Sequence, residues 1–420
     1  MKNILQRSRL LFENNKKVIE NYFFMTVLQV LSSLFYLLIY PYLIRTLGAE
    51  SYGLYVFVMA IISYFVTFVN YGFDLPAVKA IAQNSTDVEN KAHTLSCIFT
   101  AKVYLELIAT IVFIITVAAI PSLRENWIIY FVCYLQTLTG IFFPQWYFQG
   151  VQRMRTVTYI QLFFKVLSLP FIFLLIHNPD DLLLFVIITT LVNIGGAITT
   201  AFIVRFSENI KIRWVSFLEI RYWYKEASPF FLSSSASIIK DQSIAIIIGA
   251  FFGMKDVAIY DLANKIIILP RILMVNINGA LFPKVMANIQ IENIKKIIRF
   301  ETFAGLLVII LVAIFGKWIV ILMGGDKMFE SYPISIILSI TVMVWLVVGA
   351  YISFVFIPNN KYIYVTNNQI VALLSFVLYC FLGFLIAKDI YVLVISIAMS
   401  GLTEIVYCKY LIRKNNWLKN

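Results

Sequence analysis

The chain has 420 residues, 61% of them hydrophobic and only 13% charged, with a mean hydropathy of +0.86. Soluble domains carry about 25% charged residues, so this composition excludes an ordinary water-soluble globule and points to a bilayer as solvent. The net charge of +12 does not imply nucleic acid, because the 34 lysines and arginines gather in short segments between apolar stretches, the pattern that orients membrane proteins.

A bilayer core asks for about 20 mostly apolar residues per helix. Such windows run over 22–44, 53–73, 94–118, 127–148, 157–177, 182–205, 228–251, 257–283, 300–323, 332–357, 366–387 and 390–412. An all-α integral membrane protein with twelve transmembrane helices is therefore predicted. The first window follows a basic leader, Lys2, Arg7, Arg9, Lys16 and Lys17, without a small-residue cleavage site, and reads as a retained signal anchor. The stretches 75–92 and 284–299 read as short amphipathic helices on the cytoplasmic surface. Counted on alternate sides, basic residues fall mostly on the side of the two termini, which are therefore expected in the cytoplasm. Cys97, Cys133, Cys380 and Cys408 each lie in an apolar run with no CxxC pair, which argues against a disulfide framework or a metal site, and His93 and His177 show no ligand spacing. No metal and no cofactor is expected.

The basic connection 206–227 follows the sixth window and sets the predicted domains: a cytoplasmic N-terminus 1–21, an N-lobe 22–205, the inter-lobe linker 206–227, a C-lobe 228–412 and a cytoplasmic tail 413–420. A duplication is suggested by Leu47-Gly48-Ala49-Glu50-Ser51-Tyr52-Gly53-Leu54-Tyr55 and Phe252-Gly253-Met254-Lys255-Asp256-Val257-Ala258-Ile259-Tyr260, which occupy corresponding places with glycine and tyrosine seven apart. Six helices separate the copies, so the repeats are parallel.

Five basic residues, Lys102, Lys165, Lys240, Lys265 and Arg271, lie well inside the windows. Each would cost about 2.5–3.5 kcal/mol facing lipid at a helix centre, so each is expected to face protein or water. Lys102 and Glu106 share a helix face at four-residue spacing, as do Asp261 and Lys265, and either could be a self-neutralised pair. Lys240 adjoins Asp241 about 100° round its helix. Lys165 has only Gln161 on its face, and Arg271 follows Pro270 with no acid one turn away, so these two are the least neutralised. Three central acids are counted against the five cations. Pro41, Pro144, Pro170, Pro270 and Pro283 are candidate bending points. Trp146-Tyr147-Phe148 and Tyr222-Trp223-Tyr224 read as interfacial belts.

The motifs Tyr40-Pro41-Tyr42-Leu43-Ile44-Arg45-Thr46-Leu47-Gly48 with Tyr52-Gly53-Leu54-Tyr55, Tyr71-Gly72-Phe73-Asp74, Pro144-Gln145-Trp146-Tyr147-Phe148-Gln149-Gly150 with Arg153-Met154, and Ala258-Ile259-Tyr260 with Leu281-Phe282-Pro283 resemble the Wzx-type polysaccharide flippases of the multidrug/oligosaccharidyl-lipid/polysaccharide (MOP) exporter superfamily. The resemblance implies a MATE-like fold of two six-helix bundles around a cavity that opens alternately to either side. It implies as cargo an oligosaccharide repeat unit, O-antigen or related, on undecaprenyl diphosphate, moved to the periplasmic leaflet of a bacterial inner membrane. Membrane lipids, a polymerase and a chain-length regulator are the partners it implies. On that reading Arg271, Lys165, Lys240, Lys102 and Lys265 line the cavity and hold the diphosphate. The plainer alternative makes the pairs interhelical glue. Glu106, Asp241 and Asp261 are candidate sites for a coupling H⁺ or Na⁺, or ion-pair partners, and Arg45 and Asp74 are candidate gate residues. The polar residues Asn70, Thr189, Thr190, Asn193, Asn276 and Asn278 are candidates for sugar specificity or for helix packing. A cation-coupled multidrug exporter of the same fold would bind organic cations, for which an anionic aromatic cavity is expected. A membrane-embedded polymerase or glycosyltransferase would need a sizeable external catalytic loop, and every external connection here is short. Transport rather than enzymatic catalysis is the expectation.

Overall fold

A computed structural model describes residues 16–83, 87–287, 290–359 and 361–418, together with the side chains among them other than those of 16–19, 22, 269 and 272–287. The described chain is built of helices: α1 Lys16–Thr46, α2 Gly48–Asn70, α3 Asp74–Gln83, α4 Val88–Ala119, α5 Pro121–Arg124, α6 Trp127–Tyr134, α7 Thr139–Phe142, α8 Gln145–Gly150, α9 Met154–Leu175, α10 Leu182–Phe206, α11 Phe217–Phe251, α12 Met254–Ala287, α13 Ile291–Gly324, α14 Ser331–Tyr351, α15 Tyr362–Ile386 and α16 Ile390–Lys414. Eleven spans among the described residues are long and apolar enough to cross a membrane. The twelfth window, 257–283, lies within α12, much of which is outside the described side chains, as are Asn276, Asn278 and the Leu281-Phe282-Pro283 motif.

Two compact units are distinguished. One comprises Met1–Ser32, Phe65–Ile176 and Leu183–Phe231, and the other Ser33–Tyr64, His177–Leu182 and Leu232–Asn420. The first unit is centred on a core that includes Phe73, Ile81, Ile98, Tyr147 and Trp223. Trp146, Tyr147 and Phe148 are buried in it, and Trp223 is only 7% exposed. The first expected aromatic belt is corrected accordingly: Trp146, Tyr147 and Phe148 are core, because α8 turns inward to pack on α3, where Gly150 leaves room for Ile81, while in the second set Trp223 is buried and Tyr222 is exposed. The same motif is tied down by Glu208, which pairs with Arg153 and accepts a hydrogen bond from Tyr147 at 3.2 Å.

The second unit joins the end of α1 and the start of α2 to residues far along the chain. Gly48 and Gly253, the matching glycines of the repeated motif, both have positive φ, +76° and +121°, and both sit between two successive long helices. Gly53 supplies a close approach: a Cβ there would overlap the carbonyl oxygen of Met254 at the start of α12. Tyr40 donates to the Ala258 carbonyl at 3.4 Å, and the Tyr64 and Ser243 hydroxyls meet at 3.1 Å.

The surface helices come out differently from expectation. The stretch 75–92 holds the ten-residue α3 and then the beginning of α4, which Asp87 caps by accepting from the amides of Glu89 and Asn90. Those amides, Asn90's first, hold the Asp87 carboxyl below the usual carboxylate range. The stretch 284–299 is not a separate helix, because α12 runs on to Ala287 and α13 starts at Ile291. Likewise α11 begins at Phe217, inside the expected linker. The window 127–148 is broken into α6, a 3-10 turn Leu135–Leu138, α7 and α8, with Pro144 at the last break.

Gly53→Ala is expected to lower stability by about 1–3 kcal/mol through overpacking, read as a lower melting temperature in detergent. Gly196→Ala is the control, since its Cβ would meet nothing closer than 3.7 Å.

Candidate functional site

The first unit holds Lys102 and Lys165. Pro144 has no N–H, so the Gly140 carbonyl four residues earlier has no helical donor. The Lys102 ammonium takes that place, donating to the Gly140 oxygen at 2.9 Å and to Asn70 Oδ1 at 3.0 Å. Lys102 is 3% exposed, and its acid is Asp74 at the start of α3, 3.8 Å away, rather than Glu106. Glycine at 140 leaves the Asn70 oxygen its place, since a Cβ there would stand 2.8 Å from it. Glu106 accepts from Thr137 Oγ1 at 2.7 Å while its second oxygen has no hydrogen-bond partner among the described residues. Lys165 donates to Ser32 Oγ at 2.6 Å. Asn193 and Thr190 both hydrogen-bond Gln136, at 3.4 Å each, which is helix-to-helix packing.

The second unit holds the other three cations. Lys265 lies 3.7 Å from Asp261 on the same helix face and 5.3 Å from the Tyr36 ring centroid, so this spacing-based pair is present. Asp261 also accepts from Tyr52 at 3.0 Å. Lys240 is paired at 2.7 Å with Glu404 of α16, whose other oxygen accepts from Asn368 at 3.1 Å. Asp241, its sequence neighbour, is half-buried and lies within electrostatic range of Arg271 and Glu404. The Arg271 guanidinium lies 4.1 Å from the Trp345 ring centroid, and no carboxylate among the described residues comes within ion-pair distance of it. Arg45 donates to the Leu322 carbonyl at 3.2 Å.

With this geometry the chain can be set beside known proteins. Residues 18–290 match the family described as polysaccharide biosynthesis protein. The chain belongs to that family. A candidate O-antigen transporter of Escherichia coli (strain K12) is 26% identical over 288 residues, 68% of this chain and 69% of the relative. A second, from Shigella dysenteriae, is 25% identical over 254 residues, 60% and 63% of the two chains. Among solved structures, an inward-facing MATE-family multidrug transporter of the MOP superfamily aligns with TM-score 0.67 and 11% identity over 94% of this chain and all of its own. The lipid II flippase MurJ in an inward closed conformation aligns with TM-score 0.64 and 11% identity, over 94% and 86%. Such likeness establishes the fold, and this member of the polysaccharide biosynthesis family is a multi-pass membrane protein of MOP architecture.

Two buried acids escape the sequence count. Glu404 and Glu301 are 5% and 3% exposed, so the intramembrane charges are far closer to balance than five cations against three acids. Glu404 is the one acid in the apolar stretch 390–412, which was the available signal; its partner lies 164 residues away, beyond any helical spacing rule.

Breaking the buried Lys240–Glu404 pair should cost about 3–5 kcal/mol, with Lys240→Met plus Glu404→Gln costing less than the sum of the two single changes. Denaturation of the four proteins in detergent measures this; strictly additive losses would show that the pair is not coupled.

Proposed function

We propose that this chain moves an undecaprenyl-diphosphate-linked oligosaccharide, an O-antigen or related repeat unit, from the cytoplasmic to the periplasmic leaflet of a bacterial inner membrane. The family match over 18–290 carries the reading, and the names of the two curated relatives support it. Both termini lie in the cytoplasm. The N-terminus 1–21, N-lobe 22–205, linker 206–227, C-lobe 228–412 and tail 413–420 are the working parts, and transport proceeds by alternating access between the lobes.

Among the five cations, Arg271 is the one best suited to the diphosphate. It is held by an aromatic face rather than consumed by a carboxylate, and a guanidinium binds phosphate oxygens in pairs. Lys165, which donates to Ser32 Oγ at 2.6 Å, is the second candidate. Lys240, Lys265 and Lys102 are committed to Glu404, Asp261 and Asp74 and serve chiefly to hold helices together. Coupling to H⁺ or Na⁺ at Glu106, Asp241 or Asp261 adds to a drive that is already present: moving about two negative charges outward gains roughly 5 kcal/mol at 100 mV.

The test is transbilayer movement of an undecaprenyl-diphosphate oligosaccharide in proteoliposomes. Arg271→Ala and Lys165→Ala should each slow transport about tenfold or more with normal folding, while Leu174→Ala, at an exposed position on α9, should leave it unchanged. Absence of lipid movement by the wild type, with efflux of organic cations instead, would replace this reading with a multidrug exporter.

A further inference from the structure

Outside the nodes above, one cluster in the first unit brings together three chemically different metal ligands. His93 and Cys97 lie one turn apart on α4, and Glu219 comes from the first turn of α11, 126 residues later. His93 Nε2 is 2.9 Å from Glu219 Oε2, and Cys97 Sγ is 3.8 Å from each nitrogen of the His93 ring. The three donor groups all lie within 4.8 Å of one another. The expectation that neither histidine has ligand spacing misses this, because the third group is supplied by a distant helix.

We propose that His93, Cys97 and Glu219 form a binding site for a thiophilic divalent cation of the Zn²⁺ class, which clamps α4 to the start of α11. Tetrahedral Zn²⁺ at about 2.0–2.3 Å from N, O and S donors places those donors about 3.3–3.8 Å apart. The sulfur-to-nitrogen distance already meets this, and His93 and Glu219 need to part by only a few tenths of an ångström. The donor set suits the ion: imidazole and thiolate select borderline-soft metals over Mg²⁺ or Ca²⁺. Charge also favours it, since one thiolate and one carboxylate neutralise the dication at the edge of an apolar layer. Glu219 is oriented from behind by Ser216, whose amide and hydroxyl donate to Oε1 at 3.1 and 2.7 Å, leaving Oε2 directed at His93. Cys97 is buried whereas the His93 and Glu219 side chains are 55% and 42% exposed, so the ion has an aqueous entry and water can fill the fourth position.

The clamp is tested on the full chain in detergent, after removal of any affinity tag, by titration with Co²⁺ followed by displacement with Zn²⁺. One Co²⁺ per chain should bind with a cobalt–thiolate charge-transfer band that equimolar Zn²⁺ abolishes. Cys97→Ser should lose the band, Cys133→Ser should keep it, and His93→Gln and Glu219→Gln should each weaken binding at least about tenfold. Zn²⁺ should raise the melting temperature of the wild type and not of His93→Gln, whose exposed side chain makes misfolding no explanation. A wild type without the band, a band that survives Cys97→Ser, or an affinity unchanged by His93→Gln overturns the site.

Discussion

Hydrocarbon offers no hydrogen bond, so a polar group inside a span is costly unless another part of the protein answers it. That constraint organises the interior of this chain. Pro144 removes one donor, the Gly140 carbonyl is left over, and a lysine from α4 supplies the missing bond. The lysine in turn needs Asn70 and Asp74, which brings the end of α2 and the start of α3 to the same place. A break in one helix thereby specifies the packing of three others. Glycine at 140 suits the crowding this creates, since a Cβ there would stand 2.8 Å from the Asn70 oxygen.

The same rule separates charges tied into buried ion pairs from a charge held by an aromatic face. Removing one partner of a buried pair costs about 3–5 kcal/mol, a large part of the stability of a domain. Lys240 bonded to Glu404, and Glu404 bonded to Asn368, form a closed set that a passing anion would have to take apart. Arg271 differs. Its contact with the Trp345 face is worth about 0.5–2 kcal/mol and leaves the guanidinium's hydrogen bonds to be made elsewhere. On the proposed function, the partners each cation has matter more than a net count, which Glu301 and Glu404 bring near to balance.

Eleven of the twelve expected spans and the repeated glycine turn were legible in the chain because they follow from local hydropathy and backbone chemistry, while the twelfth window lies largely outside the described side chains. The Asp261–Lys265 pair was legible for the same reason, as both members lie on one helix. Lys102 with Glu106 has identical spacing yet is not the pair that forms, because the break at Pro144 presents a competing carbonyl from 38 residues away. Helical spacing says which residues can meet, and tertiary neighbours decide which do. Trp146-Tyr147-Phe148 illustrates a second limit. Aromatic residues near a helix end suit both an interface and a core, and only the turn of α8 onto α3 chooses the core.

Alternating access needs some contacts to hold through the cycle and others to exchange. Within the second unit, residues 33–64 meet residues from beyond the linker through hydrogen bonds, Tyr40 to Ala258, Arg45 to Leu322, Tyr52 to Asp261 and Tyr64 with Ser243, and through the bare backbone of Gly53 against Met254. A neutral hydrogen bond contributes about 0.5–1.5 kcal/mol net, and one with a charged partner about 1.5–3 kcal/mol. A small set of such bonds amounts to a few kcal/mol, the scale on which a conformational equilibrium can be moved by ligand or potential. The Lys240–Glu404–Asn368 set lies wholly on α11, α15 and α16, and is too costly to open on each cycle. On the proposed mechanism, contacts of this kind between the segments before and after the linker are the ones that exchange, while the Lys240–Glu404–Asn368 set holds the segment after it together.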